Sequence, residues 1–445
     1  MSQMQHFRTT KTRGVAMIVV LAGALSVVLA AGSSSIQLSA SGPPGFGSER
    51  SPQFTALAVA ATQDTDAEQD DTGGAQQNER QQQTTALIVS ATGEPYFAPG
   101  SDGRTHIEYD LIHTNVTNYP VTLTSVQVFN GRGRQLLELK GEALKAVTQS
   151  LGLGGSTQLG EPTVQVAASG ALATVIDLVV PHGEVPRSLT HRIAYQLDPQ
   201  TPEINQALIG SLSIEGPELV VDRRGPIVIA PPLSGDGWLN GNGCCEMTIH
   251  RTIRLAAGGS RYTKPEAFAI DWVQVQGNRF FSGDGTSNEQ HYAYGAEVRS
   301  VADGEVVFVR DGQPEATPFQ PPMYVKQPLD FAGNQVVVRI RPGGYATYAH
   351  LQPGSIEVGV GAQVRTGQRL GRLGNSGNST APHLHFGLSD GPDILTSNSL
   401  PFVIDRYRFV GMVTPDSMPT DVRIIRAPRR ERETHPLMNS VIDFR

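Results

Sequence analysis

Two histidines separated by a single residue, His383 and His385, lie in the run APHLHFGL. On a β-strand, residues i and i+2 point to the same side of the sheet, so both imidazoles would share one face. Neutral imidazole is a common zinc ligand and a common general acid or base. The pair is also compatible with a plain cross-strand polar contact. It therefore predicts a hydrolytic metal site only if the rest of the chain supplies further ligands.

Two other residues could complete such a site. Asp271 lies in AFAIDW between Ile270 and Trp272, which would face the opposite side of the same strand. A carboxylate among apolar neighbours needs a partner. His350 lies in TYAHL, at the end of a predicted strand. Each residue alone also has a purely structural interpretation.

The composition indicates which elements must position these side chains. Forty-eight glycines and 30 prolines, with 39% hydrophobic residues, favour many short strands joined by tight turns. We therefore predict an all-β protein. The formal net charge of −7 argues against a nucleic-acid partner, which would need a basic excess.

A chain of 445 residues exceeds one usual hydrophobic core, so two domains with extensions are expected. Period-two alternation, as in Ile107, Tyr109 and Leu111, predicts half-buried strands of an antiparallel sandwich. We divide the chain into an export signal or signal anchor (1–32), a disordered polar spacer (33–85), a β-sandwich accessory domain (86–225), a second β domain (236–415) and a charged C-terminal tail (416–445).

The N-terminal segment indicates export. Arg8, Lys11 and Arg13 precede an uncharged, mostly apolar run at 15–31. A run of 17 residues is at the short end of a bilayer span, so cleavage and membrane anchoring both stay open. We predict a cell-envelope location, either periplasmic or extracellular.

The two cysteines, Cys244 and Cys245, are adjacent, so a disulfide framework is not expected. We interpret them mainly as small buried or turn residues, with a redox or metal role as the alternative.

The order of motifs in the C-terminal half resembles that of the lysostaphin-type (LytM-like) zinc endopeptidases. Asp271 is followed by VADGEVVFV at 301–309, YAHL at 348–351 and PHLHF at 382–386. The resemblance covers only the C-terminal domain. It implies a LytM-like β domain of the duplicated-hybrid-motif type.

The resemblance also implies roles for individual residues. Asp271 and His385 would bind Zn²⁺, whereas His350 and His383 would assist catalysis. The implied function is an exported zinc metalloendopeptidase that cleaves peptide bonds of bacterial cell-wall peptidoglycan. The alternative is a noncatalytic LytM-like domain that binds wall peptides or regulates another cell-wall hydrolase. The oligomeric state is not predicted.

One position departs from the family pattern. The family's first zinc ligand is a histidine four residues before the aspartate, and this chain has Ala267 there. Catalytic zinc normally takes three protein ligands and a water. If Gly258-Gly259 forms a two-residue hairpin turn, residue 257 pairs with 260, and His250 then faces Ala267. We therefore predict His250 as the substitute ligand.

Two alternatives to His250 stay open at this point. Another residue, such as Glu266 or His291, could supply the third ligand. The site could also be vacant and noncatalytic.

Overall fold

The structure is a computed structural model, and it describes residues 84–151, 161–341 and 343–445. The predicted export signal and residues 33–83 of the predicted spacer lie outside the described residues. Strands predominate throughout, with only three short α-helices and two 3₁₀ turns among the described residues. The prediction of an all-β chain is confirmed. Within the described ranges, no helix is both long and apolar enough to span a bilayer.

The N-terminal part of the described chain contains eleven strands and two helices. The helices are α1 (Gly141–Ala146) and α2 (Glu203–Leu208). The strands are β1 (Leu87–Ala91), β2 (Tyr96–Pro99), β3 (Arg104–Asn115), β4 (Val121–Asn130), β5 (Gln135–Lys140), β6 (Thr148–Ser150), β7 (Gln165–Val166), β8 (Ala171–Pro181), β9 (Ser188–Leu197), β10 (Ser213–Glu215) and β11 (Leu219–Val220).

These strands form two antiparallel sheets. One follows the order β1-β3-β8-β6, with β2 beside β3, and the other follows β10-β9-β4-β5, with β7 and β11 added. Side chains from both sheets meet in one apolar core, which includes Ile107, Tyr109, Val126 and Ile193. This is the predicted sandwich.

Strand β3 differs from the prediction of a half-buried strand. Ile107, Tyr109 and Leu111 are buried in the sandwich core, as the alternation indicated. The polar residues between them, however, are also buried: Glu108 is 2% exposed and Asp110 is 0% exposed. A second layer of the molecule must therefore cover the polar face of β3.

The C-terminal part contains seventeen strands, the helical turn α3 (Ile249–Thr252) and the 3₁₀ turns Asn288–Gln290 and Pro328–Asp330. The strands are β12 (Ile227–Ile229), β13 (Gly235–Gly241), β14 (Leu255–Ala257), β15 (Arg261–Thr263), β16 (Ile270–Gln274), β17 (Glu297–Arg299), β18 (Gly304–Arg310), β19 (Asn334–Ile340), β20 (Tyr345–Leu351), β21 (Gln363–Val364), β22 (Arg369–Arg372), β23 (Leu384–Ser389), β24 (Ser399–Leu400), β25 (Phe402–Ile404), β26 (Tyr407–Val413), β27 (Ile424–Glu431) and β28 (Ser440–Phe444).

One large sheet organises this part. Its strands follow the order β21-β18-β19-β20-β23-β16-β13-β28-β26-β27, with β24 beside β23. Alternate residues such as Val336, Tyr348, Phe386 and Ile270 share one buried face of this sheet. The opposite face of β20, β23 and β16 is left for the polar residues that the sequence analysis selected.

The predicted charged tail at 416–445 is wrong. Strand β28 pairs with both β13 and β26, and β27 pairs with β26, so these residues belong to the large sheet. Val441, Ile442 and Phe444 are buried in its layers. The arginines of β27 suggested a solvated tail, but β27 is an exposed edge strand, where charged side chains are typical.

Cys244 and Cys245 are buried and joined to each other by a disulfide. They lie between β13 and α3, beside the polar face of β3, where the Sγ of Cys244 is 3.7 Å from Oε1 of Glu108.

Candidate metal centre

Two of the candidate ligands are placed by strand register. Asp271 on β16 and His385 on β23 are direct partners in the antiparallel pair. Directly opposite residues share a face of the sheet, so their side chains meet there. Nδ1 of His385 is 3.0 Å from Oδ1 of Asp271. Both side chains are largely buried, with 6% of His385 and 15% of Asp271 exposed.

His383 lies just before β23 and reaches the same carboxylate. Its Nε2 is 3.4 Å from Oδ1 of Asp271. Its Nδ1 is 2.9 Å from the carbonyl oxygen of Ala381 and 3.2 Å from Oγ of Ser379. A carbonyl only accepts, so Nδ1–H of His383 donates to Ala381 and Nε2 is the atom that faces the centre.

His350, on β20, lies beside the two histidines of the H-x-H pair. Its ring centroid is 4.7 Å from that of His383 and 5.8 Å from that of His385. Nδ1–H donates to the carbonyl oxygen of Ser376 over 2.7 Å. Nε2 of His350 is therefore left as a free acceptor.

His250 also reaches Asp271, from the opposite side. Its Nε2 is 3.2 Å from Oδ2 of Asp271, and its ring centroid is 4.8 Å from that of His385. Nδ1–H donates to the carbonyl oxygen of Ala269 over 3.1 Å, which fixes the ring orientation. The structure thus brings His250 beside Asp271 and His385.

The register argument for His250 is wrong, although the residue arrives at the site. In the hairpin, Ala257 pairs with Arg261 and not with residue 260, and the pairing begins only at Leu255. His250 precedes it and lies on the helical turn α3, whereas the predicted pairing with Ala267 requires it to be on a strand. Thr248 starts that turn, because its side chain accepts from the backbone N–H of Arg251.

The two alternative ligands differ in their placement. Glu266 is buried, and its Oε2 is 3.7 Å from Nε2 of His250, so it lies at the edge of the centre. His291 instead donates from Nε2–H to the carbonyl oxygen of Gly285 over 2.9 Å and packs against Phe281. Among the described residues, the group with ligand atoms all within 4.8 Å of one another at this site is His250, Asp271 and His385.

Sequence reasoning missed Asn242. Its Nδ2 donates to Oδ2 of Asp271 over 2.9 Å, the same oxygen that faces His250. The carbonyl oxygen of Asn242 also accepts from Oγ1 of Thr248, which ties the start of α3 to the site. Asn242 lies in a loop with a φ of 54° and belongs to no motif, so the chain offered no signal for it.

The electrostatics of the centre follow from one carboxylate among four imidazoles. Burial alone would raise the pKa of Asp271, but His250 and His383 outweigh it and hold that pKa well below its usual range. Burial lowers the pKa of His250, yet Asp271 and Glu266 raise it to about 9. Burial, together with His383 and His385, lowers the pKa of His350 well below its usual value.

The donor set fits zinc. Two imidazole nitrogens and one carboxylate oxygen are ligand types of a catalytic zinc site, which keeps a fourth position open. The bond from His250 Nδ1–H to Ala269 leaves Nε2 as the ligand atom, in the manner of outer-shell orientation in metal sites. The fit to zinc rests on one observation: ligand atoms of His250, Asp271 and His385, on α3, β16 and β23, all lie within 4.8 Å of one another.

Residues 289–395 match the model of the family described as Peptidase family M23. The chain therefore contains a domain of this peptidase family. The matched range includes His350, His383 and His385, whereas His250 and Asp271 precede it. No curated protein matches the chain.

Several solved structures are similar to part of the chain. The catalytic domain of lysostaphin from Staphylococcus simulans is 20% identical, with 37% of this chain and 88% of that one covered and a TM-score of 0.21. The catalytic domain of a prophage-encoded protein of the same peptidase family from Enterococcus faecalis is 18% identical (38% and 92% covered, TM-score 0.23). A structure described as a putative peptidase from Pseudomonas aeruginosa is 14% identical (64% and 92% covered, TM-score 0.22).

Proposed function

We propose that the protein is an exported zinc metalloendopeptidase that cleaves peptide bonds of bacterial cell-wall peptidoglycan. The observation that carries the proposal is the meeting of His250, Asp271 and His385 around one point, next to His350 and His383. The peptidase family match supports the reaction class.

The metal would be held by Nε2 of His250, an oxygen of Asp271 and Nδ1 of His385. A zinc ion bound there would act as a Lewis acid toward the scissile carbonyl and lower the pKa of a water. The oxygens of Asp271 face Nε2 of His250 and Nδ1 of His385, the same two nitrogens that would hold the metal. A ligand nitrogen carries no proton, so metal binding would compete with protons at these two atoms.

The two remaining histidines handle protons. Nε2 of His350 carries no proton when Nδ1–H donates to Ser376, so it can accept one from the attacking water. Nε2 of His383 faces the same space and can deliver a proton to the leaving amine. Backbone carbonyls fix both rings, which keeps these atoms aimed at the reacting groups.

The location and the partner belong to the proposal as well. The basic N-terminus and apolar run at 15–31 would direct the chain out of the cytoplasm, with cleavage or membrane anchoring as the two outcomes. The spacer at 33–85 would let the folded part reach wall peptides. The acidic net charge gives no reason to expect a nucleic-acid partner.

The test is the zinc content of the full chain by elemental analysis, together with release of peptide fragments from purified peptidoglycan. We expect about one zinc per chain in the wild type, and loss of both zinc and activity in His250→Ala and His385→Ala. His182→Ala, at an exposed histidine of the sandwich, is the matched control and should keep both.

Three outcomes would change this conclusion. Zinc retained in His250→Ala alone would remove that residue from the ligand set. Zinc bound without peptide release would favour the noncatalytic domain that binds wall peptides. A wild-type chain that takes up no zinc after loading would contradict the metallopeptidase assignment.

A further inference from the structure

We propose that the sandwich is part of the metal centre, because the acidic face of β3 positions His250. The positioning residues are Glu108 and Asp110, which hold the turn α3 through Arg251 and the segment after it through Arg254. The inference rests on the proposed function, since it assigns the sandwich a role in building that same zinc site.

The turn α3 cannot hold His250 in place by itself. It contains four residues, and its backbone bonds are those from N–H of Thr252 to Thr248 and from N–H of Ile253 to Ile249, both 3.2 Å. A single helical turn is unstable in isolation because nucleation fixes several residues for one bond. External contacts must therefore define where the imidazole lies.

The residue next to His250 supplies such a contact. Arg251 is 0% exposed, and its guanidinium pairs with the carboxylate of Glu108 on β3. The same Nη2 is 3.4 Å from the carbonyl oxygen of Ile176 on β8. One side chain of α3 thus contacts two neighbouring strands of the sandwich.

Asp110, two residues along β3, anchors the chain that follows α3. Its Oδ2 is 2.6 Å from Nε of Arg254, and its Oδ1 is 3.1 Å from Nζ of Lys264. Arg251 lies 3.6 Å from the same carboxylate. The carboxylates of the sandwich therefore hold both the turn and the hairpin behind it.

These pairs are informative because they are buried. Desolvation makes a buried ion pair a weak source of net stability, and its best-attested use is to specify one arrangement over others. An apolar interface would let α3 slide, whereas two carboxylates on β3 and a carbonyl on β8 accept the arginines only in a matching arrangement. The polar face of β3 therefore specifies where α3 lies. The alternation pattern had predicted that this face is exposed to solvent.

On its other side, α3 is connected to the site itself. Nδ1–H of His250 donates to Ala269, one residue before β16, and Thr248 donates to Asn242, which in turn donates to Asp271. The turn therefore lies between two fixed surfaces. Movement of either one displaces His250 from Asp271.

The test is a double variant in the full chain, Glu108→Gln with Arg251→Met, which removes the whole pair and leaves neither partner unpaired in the interior. We expect the affinity for Zn²⁺, from competition with a chromophoric chelator, to fall about 10- to 100-fold, the usual cost of losing an outer-shell partner. Amide exchange at residues 248–254 of the metal-free protein should become faster. With Co²⁺ as the probe, the visible spectrum should indicate altered coordination.

The control is Arg408→Met with Asp443→Asn, which removes a half-exposed ion pair of the same large sheet that does not contact α3. It should leave the zinc affinity, exchange at 248–254 and the Co²⁺ spectrum unchanged. If the test variant does not fold, Arg251→Lys keeps the charge but loses the two-strand fork, and it should shift the same readouts in the same direction.

The outcomes separate this inference from the proposed function. Wild-type affinity and exchange in a folded test variant would overturn the inference and leave the zinc peptidase intact. A wild type without zinc binding would overturn the proposed function. Even without zinc binding, exchange at 248–254 in the test variant tests the positioning role. Unchanged exchange would overturn that role, and faster exchange would support it for the placement of His250, apart from any metal.

Discussion

The proposed ligands of the centre come from two regions that are built differently. Asp271 and His385 are adjacent because β16 and β23 pair in one register, and a slip by one residue would turn both side chains away. His250 comes from a four-residue turn that is clamped between the large sheet and the sandwich. Backbone pairing fixes the geometry of the first region. The position of His250 in the second region depends on buried charged residues of the sandwich, which are distant in the sequence.

If the centre binds zinc as proposed, this difference explains how a metal site can be kept when one ligand position changes. The resemblance assigns the first ligand to the position of Ala267, which is buried and has no ligand atom. The space beside Asp271 is entered instead by His250, which lies on a separate element. A side chain that arrives from outside the sheet needs its own support, and here the sandwich gives it.

We expect the largest effect from His383→Ala, which tests whether the residues placed by pairing of β16 and β23 have separate roles. His383→Ala should keep the zinc but lower the rate of peptide release about 10²- to 10⁴-fold, because His383 contacts the centre without belonging to the ligand set. Zinc content and kcat, measured on the same preparation, check this. Loss of zinc equal to that in His385→Ala would show that the two residues do not have separate roles.

His106 lies on the polar face of β3 and should make the unfolding free energy depend on pH. Burial lowers the pKa of His106, but Asp177 and Asp102 outweigh it and raise it to about 9. A raised folded pKa stabilises the fold fully below the unfolded value of about 6.5 and loses that stabilisation as pH rises through about 9. Over this window the wild type should lose up to about 3 kcal/mol more unfolding free energy than His106→Gln.

Urea unfolding at several pH values between 6 and 10 measures this difference. The exposed His182→Gln serves as the control and should follow the wild type. A wild type and His106→Gln that stay a constant interval apart across the window would show that ionisation of His106 does not contribute to stability.

The sheet-borne region could be predicted from the sequence, and the other region only in part. The strand period placed His385, and the flanking apolar residues of Asp271 oriented its carboxylate, since both arguments use only the two-residue period of a strand. His383, which we had expected on the same strand, lies just before it. His250 was selected by hairpin counting that the structure does not follow. Its true support is a set of pairs between residues more than one hundred positions apart, which no local pattern encodes.

We expect the smallest effect from loss of Asn242, the residue that joins the two regions. Asn242 donates to Asp271 and accepts from Thr248, so it links the sheet-borne carboxylate to α3. Since its φ is 54°, Asn242→Gly removes the amide without backbone strain, whereas alanine would add strain of its own. We expect roughly a tenfold loss of zinc affinity, at the low end for an outer-shell partner. Asn439→Gly, at a residue with a φ of 66° that is not among the proposed ligands, should not change the zinc affinity. An equal loss of affinity in both variants would assign the effect to the backbone, and the proposed link between the two regions would be wrong.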